Sequence, residues 1–158
     1  MGPPSPATAS TATGRRGSRE KNDLCLFNEL ATDAFEAEDD VLAQKYAEEA
    51  LQQGQQQDKF YCAALHHGNL MLGRIALRKG NLEEAKSRLL EAGKASGSFS
   101  NPNMMLAKEL LEKGQREIVL QYLDECANFW KNGGDKLNQW RIVIRGGGIP
   151  NFGANLVY

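Results

Sequence analysis

The chain has 158 residues, of which 41% are hydrophobic and 25% are charged, and its formal net charge is −1. This size fits one compact domain with a single core, and no apolar run approaches the roughly 20 residues that a membrane-spanning helix needs. The mixed charge pattern argues against a nucleic-acid surface, for which a strong basic stripe is expected.

Charge is distributed unevenly along the chain. Residues 1–19 carry three arginines and no acid, and residues 20–59 carry eleven acids and three bases. Residues 60–158 carry thirteen bases and nine acids. We therefore expect a fold that is acidic at its first end and mildly basic beyond it.

The first 20 residues are predicted to be disordered, because they offer too little apolar area to offset the entropy of the chain. They contain no apolar segment of the kind that follows the charged start of a secretory signal. Met1-Gly2 begins like a myristoylation motif, but Pro6 stands where that motif needs Ser or Thr. The predicted location is the cytoplasm.

The helical pattern begins near Leu24. Apolar residues recur every three to four positions as far as Phe35, which predicts a first helix. Asp39 or Asp40 is expected to cap a second helix, which ends at Gly54.

A longer third helix is predicted from about Asp58 to Lys79. Gly80 is expected to close it in the left-handed conformation, as glycines at helix ends commonly do. Asn81 should cap a fourth helix, with Glu84 three residues on as the partner in a capping box. This fourth helix ends in the stretch 93–100, which is rich in Gly and Ser.

A third helical hairpin follows. Pro102 suits the first turn of its first helix, which stops at Gly114. Its second helix stops at Gly133-Gly134. A final helix, from about Asp135 to Arg145, is expected to cap the domain by laying Trp140 and Ile142 over the third hairpin.

The tail, residues 146–158, begins with three glycines yet is too apolar for disorder. We expect it to pack back on the same chain, and docking in the groove of the same or another molecule is the alternative. The domain is thus predicted to span residues 21–145, between a disordered start and this irregular tail.

The second and third hairpins repeat each other. From Ala85 to Val119 the spacing is 119 − 85 = 34 residues. The matched pairs are Gly80 with Gly114, Ala85 with Val119, Leu89 with Leu123, Ala92 with Cys126, and Leu72-Gly73 with Leu106-Ala107. The first hairpin fits at a spacing of 85 − 43 = 42 residues between Ala43 and Ala85, with Glu38 at the turn position that is glycine in the others.

A 34-residue helix–turn–helix with this pattern of small and large residues resembles the tetratricopeptide repeat (TPR). The resemblance covers roughly residues 24–145, although Asn69 and Asn103 replace the aromatic residues usual early in the first helix of a repeat. It implies an all-α fold, an α-solenoid of three TPR-like hairpins with a C-terminal capping helix and an irregular tail. Small uncharacterised bacterial TPR-like proteins are similar.

The TPR register also implies a concave groove lined by the first helices of the hairpins. The implied groove residues are His67, Leu70, Arg74, Leu77 and Arg78 in the second hairpin, and Asn101, Met104, Lys108, Leu111 and Glu112 in the third. An apolar floor with two or three cations would suit a peptide that carries a carboxylate or an acidic side chain. An ordinary solvated face is the alternative.

The implied function is therefore non-catalytic binding of a protein or peptide partner. Self-assembly, through the tail or an exposed end of the solenoid, is the alternative, and light scattering separates the two. Neither nucleic acid nor a membrane is an expected partner.

Catalytic and metal-binding patterns are weak in this sequence. His66-His67 and Cys62 could supply two or three metal ligands from one helix, but no second cluster completes a tetrahedral site. No phosphate-binding loop and no arrangement of a nucleophile with a base is indicated. The three cysteines, Cys25, Cys62 and Cys126, are predicted to be reduced and buried. We predict no enzyme activity, no cofactor and no metal.

Overall fold

The computed structural model describes residues 2, 26–54, 61–94 and 101–156. Within these ranges the regular structure is entirely helical and no strand occurs, which confirms the all-α prediction. The helices are α1 (26–36), α2 (Asp40–Gly54), α3 (Tyr61–Arg78), α4 (Leu82–Gly93), α5 (Met105–Glu112), α6 (Arg116–Phe129) and α7 (Gly134–Arg145). Short 3₁₀ helices lie at Lys131–Gly133 and Gly153–Leu156.

Several predictions fall outside these ranges. They concern the segment 1–20 apart from Gly2, the start of the third helix at Asp58, the stretch 95–100, and Cys25 together with the side chain of Cys62. Among the helices that the structure describes, none combines the length and apolar character required to cross a membrane.

The helices pack chiefly against their neighbours in the chain. Helix α3 packs between α2 and α4 and also touches α5, while α6 packs against α4, α5 and α7. One buried apolar cluster joins α1, α2 and α3, and a larger one extends from α3 to the tail. Helix α3 contributes to both clusters and therefore connects the first hairpin to the rest of the fold.

Gly73 lies where α3 comes close to α4 and α5. A Cβ atom on Gly73 would lie 2.4 Å from Cδ2 of Leu106 and 3.1 Å from Cβ of Arg88. These distances are shorter than van der Waals contact, so α3 approaches α4 and α5 more closely than an alanine there would permit.

All three hairpin turns share one backbone geometry. In each, a residue with positive φ donates its N–H to the carbonyl oxygen three residues earlier, and the next N–H reaches the carbonyl oxygen five residues back. The positive-φ residues are Glu38 (φ 61°), Gly80 (φ 81°) and Gly114 (φ 76°). The helix end that was predicted at Gly80 is confirmed, and the first hairpin adopts the same turn with a glutamate in place of glycine.

Both predicted N-caps are present, but Asn81 forms no capping box, because its N–H donates to the carbonyl oxygen of Ala76 and Oε1 of Glu84 accepts from Nε of Arg88. Asp39 Oδ1 accepts a hydrogen bond from the N–H of Leu42 at 3.1 Å, so Asp39 caps α2. Asn81 Oδ1 accepts one from the N–H of Glu84 at 3.2 Å and caps α4.

We expect Glu38→Gly to raise the free energy of unfolding by about 1 kcal/mol, because a residue with a Cβ is strained in the left-handed conformation. Chemical denaturation followed by circular dichroism measures the change. Glu29→Gly is a suitable control, because Glu29 is exposed within α1 and a glycine there should destabilise the domain. An unchanged or lower stability of Glu38→Gly would contradict the assignment of strain.

The tail packs on its own chain, as expected. Phe152 is 2% exposed, and its ring meets the ring of Trp140 edge to face with 5.0 Å between centroids. The carbonyl oxygen of Asn155 accepts a hydrogen bond from the N–H of Met104 at 2.7 Å, and Nδ2 of Asn155 donates to the carbonyl oxygen of Pro102 at 2.9 Å. The tail thus holds the segment before α5 against α7.

Three local predictions for this end of the domain are wrong. Helix α6 ends at Phe129 rather than at Gly133-Gly134, because Lys131–Gly133 form a separate 3₁₀ helix before α7. Pro102 precedes α5 rather than opening its first turn, because the tail binds the segment around it in a non-helical conformation. Ile142 is 70% exposed, since α7 directs Leu137, Trp140 and Ile144 to the core at three-to-four-residue spacing.

Candidate functional site

The candidate site is a depression between α1, α3 and α5. Its volume is about 420 Å³, and it lies on the face where the groove was predicted. Phe35, Arg74, Leu77, Arg78, Glu109, Glu112 and Lys113 line it. The structure therefore brings together four of the predicted groove residues, Arg74, Leu77, Arg78 and Glu112.

Arg78 joins α3 to the first hairpin. Its Nη1 donates to Oδ1 of Asp40 at 2.5 Å and to the carbonyl oxygen of Phe35 at 3.0 Å. Its guanidinium carbon lies 3.5 Å from the centroid of the Phe35 ring. The ring face attracts the cation, and the carboxylate of Asp40 balances its charge.

Arg74 joins α3 to α5 in a similar way. Its Nε donates to Oε1 of Glu109 at 2.5 Å, and its guanidinium carbon lies 4.4 Å from the centroid of Phe35. The side chain of Arg74 is 13% exposed. Two cations and one aromatic ring thus fasten α1, α3 and α5 together.

This arrangement corrects the prediction that Arg74 and Arg78 stand free for a partner. Each already has a carboxylate within the chain, so a partner's carboxylate must compete with Glu109 or Asp40. The opposing charges meet because the helices pack side by side, which residue spacing alone does not reveal.

Three of the four predicted apolar groove residues lie in the core instead of the groove. Leu70 and Met104 have no exposed surface, and Leu111 is 6% exposed. All three belong to the core shared by α3 to α7, and the tail covers the backbone at Met104. Leu77 is half-buried and still borders the depression.

The remaining predicted groove residues, Lys108, His67 and Asn101, do not line the depression. Lys108 is half-buried and forms no ion pair with any residue in the described ranges. His67 is half-buried as well, and burial lowers its pKa, so it is neutral near pH 7 rather than a cation of the groove. Asn101 and Glu112 are exposed.

His66 is a fully buried member of the core. Its Nε2 accepts a hydrogen bond from the N–H of Asn103 at 3.0 Å, so Nδ1 carries the proton and donates to the carbonyl oxygen of Ala92 at 3.0 Å. The hydroxyl of Tyr122 donates to the carbonyl oxygen of the same Asn103 at 2.8 Å. Burial, together with the nearby His67, lowers the pKa of His66 to about 3.

These contacts decide whether His66 can bind a metal ion. Both ring nitrogens of His66 are occupied by backbone groups, which leaves neither lone pair for a metal ion. Within the described ranges no group of three or more His, Cys, Asp or Glu side chains is placed to hold a metal. Cys126 is buried as predicted, and burial raises the pKa of its thiol, so the thiolate is disfavoured.

Sequence reasoning missed Phe35, Asp40 and Glu109 as members of this site. The sequence did contain a signal for the pair of Arg74 and Glu109. The two residues have opposite charge and are 35 positions apart, which is close to the length of the predicted repeat. In a stacked repeat, positions about one repeat apart lie on neighbouring helices.

Comparison with known proteins identifies no relative of this chain. No family model matches it, and no curated protein and no solved structure does. The functional interpretation therefore rests on the geometry of the described residues.

Proposed function

We propose that the chain is a short α-solenoid of three TPR-like hairpins, and that it binds a protein or peptide segment without catalysis on the face formed by α1, α3 and α5. Three observations support the repeat. The turns at Glu38, Gly80 and Gly114 have the same hydrogen bonds. At three paired positions of the second and third hairpins, both residues are fully buried: Ala85 and Val119, Leu89 and Leu123, and Ala92 and Cys126. Helix α3 also contacts helices of both neighbouring hairpins.

The depression of about 420 Å³ between the three helices carries this proposal. Leu77 supplies apolar surface at its side, and charged groups of both signs surround it. A pocket that combines limited apolar area with convergent polar groups suits one or two side chains of an extended or helical segment.

The free cations favour an acidic segment. Lys108 and Lys113 form no ion pairs with described residues, whereas Arg74 and Arg78 do. Lysines without a partner can pair with an incoming carboxylate at a smaller cost, because no existing ion pair has to break.

Reversing the charge of Lys108 and Lys113, which have no ion pair among the described residues, tests this binding face better than reversing Arg74 and Arg78, which join helices of the fold. Peptides are selected from a random library on the immobilised wild-type chain, and their Kd is then measured by fluorescence anisotropy. We expect Lys108→Glu and Lys113→Glu each to weaken acidic peptides by about 1 kcal/mol, or about fivefold in Kd.

Lys45→Glu is the matched control, because Lys45 is exposed on α2, which supplies no lining residue, whereas Lys108 and Lys113 lie on or next to α5, which supplies Glu109 and Glu112. It should leave the Kd unchanged. Equal effects of all three reversals would indicate a general charge effect and refute this site. Selection of no acidic peptide would refute the preferred chemistry.

A further inference from the structure

An exposed acidic turn connects α1 and α2. Val41 is 80% exposed and Leu42 is 37% exposed, and both follow directly on the exposed acids Glu36, Glu38 and Asp39. We call these five residues the acidic turn. Adjacent apolar and charged side chains that are open to solvent are typical of a protein-interaction surface.

A second exposed surface lies where α7 meets the tail. Ile142 is 70% exposed, Val143 40% and Ile149 44%. Arg145 is exposed on the last turn of α7, and Nη1 of Arg116 lies 3.4 Å from the position of a Cβ on Gly147. Neither arginine forms an ion pair with a residue of the described ranges. We call Arg116, Ile142, Val143, Arg145 and Ile149 the arginine edge.

The two surfaces are complementary in chemistry. The described part of the first hairpin, residues 26–54, has eight acids and one base, whereas α7 and the described tail, residues 134–156, have three bases and one acid, and one of these bases, Arg141, pairs with Asp124. Two copies of the acidic turn repel each other, and each surface has two or three exposed apolar side chains to bury. Opposite charges around an apolar centre favour a contact between unlike surfaces.

The conformation of Glu38 is independent support for a role of the acidic turn. The equivalent turns have Gly80 and Gly114, which adopt positive φ without strain, yet the first turn keeps a glutamate at φ 61°. Strained residues that persist where an unstrained choice exists point to function rather than stability. The strained turn thus keeps a negative charge at an exposed position.

We propose that the arginine edge of one copy of the chain binds the acidic turn of a second copy, head to tail. The contact joins two different surfaces, so it is heterologous and leaves one free surface at each end of a complex. It uses none of the residues that line the depression, and it does not use Lys108.

Sedimentation equilibrium of the full chain over a range of concentrations tests the proposal. The wild type should gain mass with concentration in about 0.1 M salt and lose this gain in about 1 M salt, where the Debye length shortens from about 10 Å to about 3 Å. Glu38→Gly should raise the melting temperature and at the same time weaken association by about fivefold. If Glu38 affected only the stability of the fold, Glu38→Gly would raise the melting temperature without weakening association.

Two single variants distinguish this contact from a symmetric one. Val41→Lys places a cation opposite the arginine edge, and Ile142→Glu places an acid opposite the acidic turn, so each alone should remain monomeric. Their equimolar mixture should regain complexes, because one copy supplies an intact edge and the other an intact turn. Ser87→Lys and Gln121→Glu, at exposed positions outside both surfaces, are the matched controls and should associate like the wild type.

Three results would overturn the proposal. They are a wild type that stays monomeric at every concentration in low salt, association that persists in Ile142→Glu, and a mixture of the two variants that stays monomeric. Continued association of Val41→Lys alone would indicate a symmetric contact through the arginine edge, which also contradicts a head-to-tail arrangement.

Discussion

We expect the free energy of unfolding to fall on acidification because His66 is buried. Between pH 6.5 and about 3, His66 should lower it by about 1.4 kcal/mol for each pH unit. The fold keeps this imidazole neutral, because burial lowers its pKa from 6.5 to about 3. The unfolded chain therefore binds more protons than the folded chain in this window. Stability is fully present above pH 6.5 and is lost as the pH falls.

The geometry explains why the neutral ring is required. Nε2 accepts the N–H of Asn103, and a protonated ring would place a second N–H against that donor. Over the whole window the loss is on the order of 5 kcal/mol, comparable with the total stability of a domain of this size. Burial also lowers the pKa of His67, which acts in the same direction.

Urea denaturation at a series of pH values between 7.5 and 4.5 measures this dependence. His66→Gln keeps one donor and one acceptor but does not titrate, so it should be less stable at pH 7 and lose less stability on acidification. Tyr122→Phe serves as the control, because it removes only the hydroxyl that binds the carbonyl oxygen of Asn103 and should keep the wild-type slope. Equal slopes for wild type and His66→Gln would contradict a neutral, buried His66.

We expect Phe152→Ala to destabilise the domain by about 3–5 kcal/mol, the usual cost of replacing a buried Phe with Ala. The Phe152 ring is buried against Trp140, and the tail behind it supplies the hydrogen bonds of Asn155 to the segment before α5. Loss of the ring removes the apolar contact that keeps this part of the tail in place. The expected fall in melting temperature is about 10 °C or more.

Ile149→Ala is the matched control in the same tail, since Ile149 is 44% exposed and should change stability by less than about 0.5 kcal/mol. Dilute protein keeps any self-association out of the measurement. An equally small effect of Phe152→Ala would show that the tail is not an integral part of the core. Deletion of residues 147–158 should destabilise at least as much as Phe152→Ala.

Much of the helical pattern could be predicted from the sequence because its causes are local. Gly80 and Gly114 end helices through their own backbone conformation, and Asn81 and Asp39 cap helices with side chains that reach an N–H three residues away. The register of the repeat also follows from the positions of small residues such as Gly73.

The candidate site was predicted only in part. Arg74, Leu77 and Arg78 were assigned to the right face of α3, but their partners Glu109, Asp40 and Phe35 come from other helices. An ion pair between helices depends on their relative position to within an ångström or two, and periodicity carries no such information.

The sequence by itself determined that this chain is helical, where several of its helices end, and that its second and third hairpins repeat, since these depend on interactions between residues a few positions apart. Tertiary structure decided which individual apolar residues of these helices are covered. Leu70 and Met104 became core because α4, α6 and the tail cover them, and Ile142 stayed exposed because α7 buries Trp140 and Ile144 instead. Burial is a property of what packs against a residue, and that neighbour is distant in the chain.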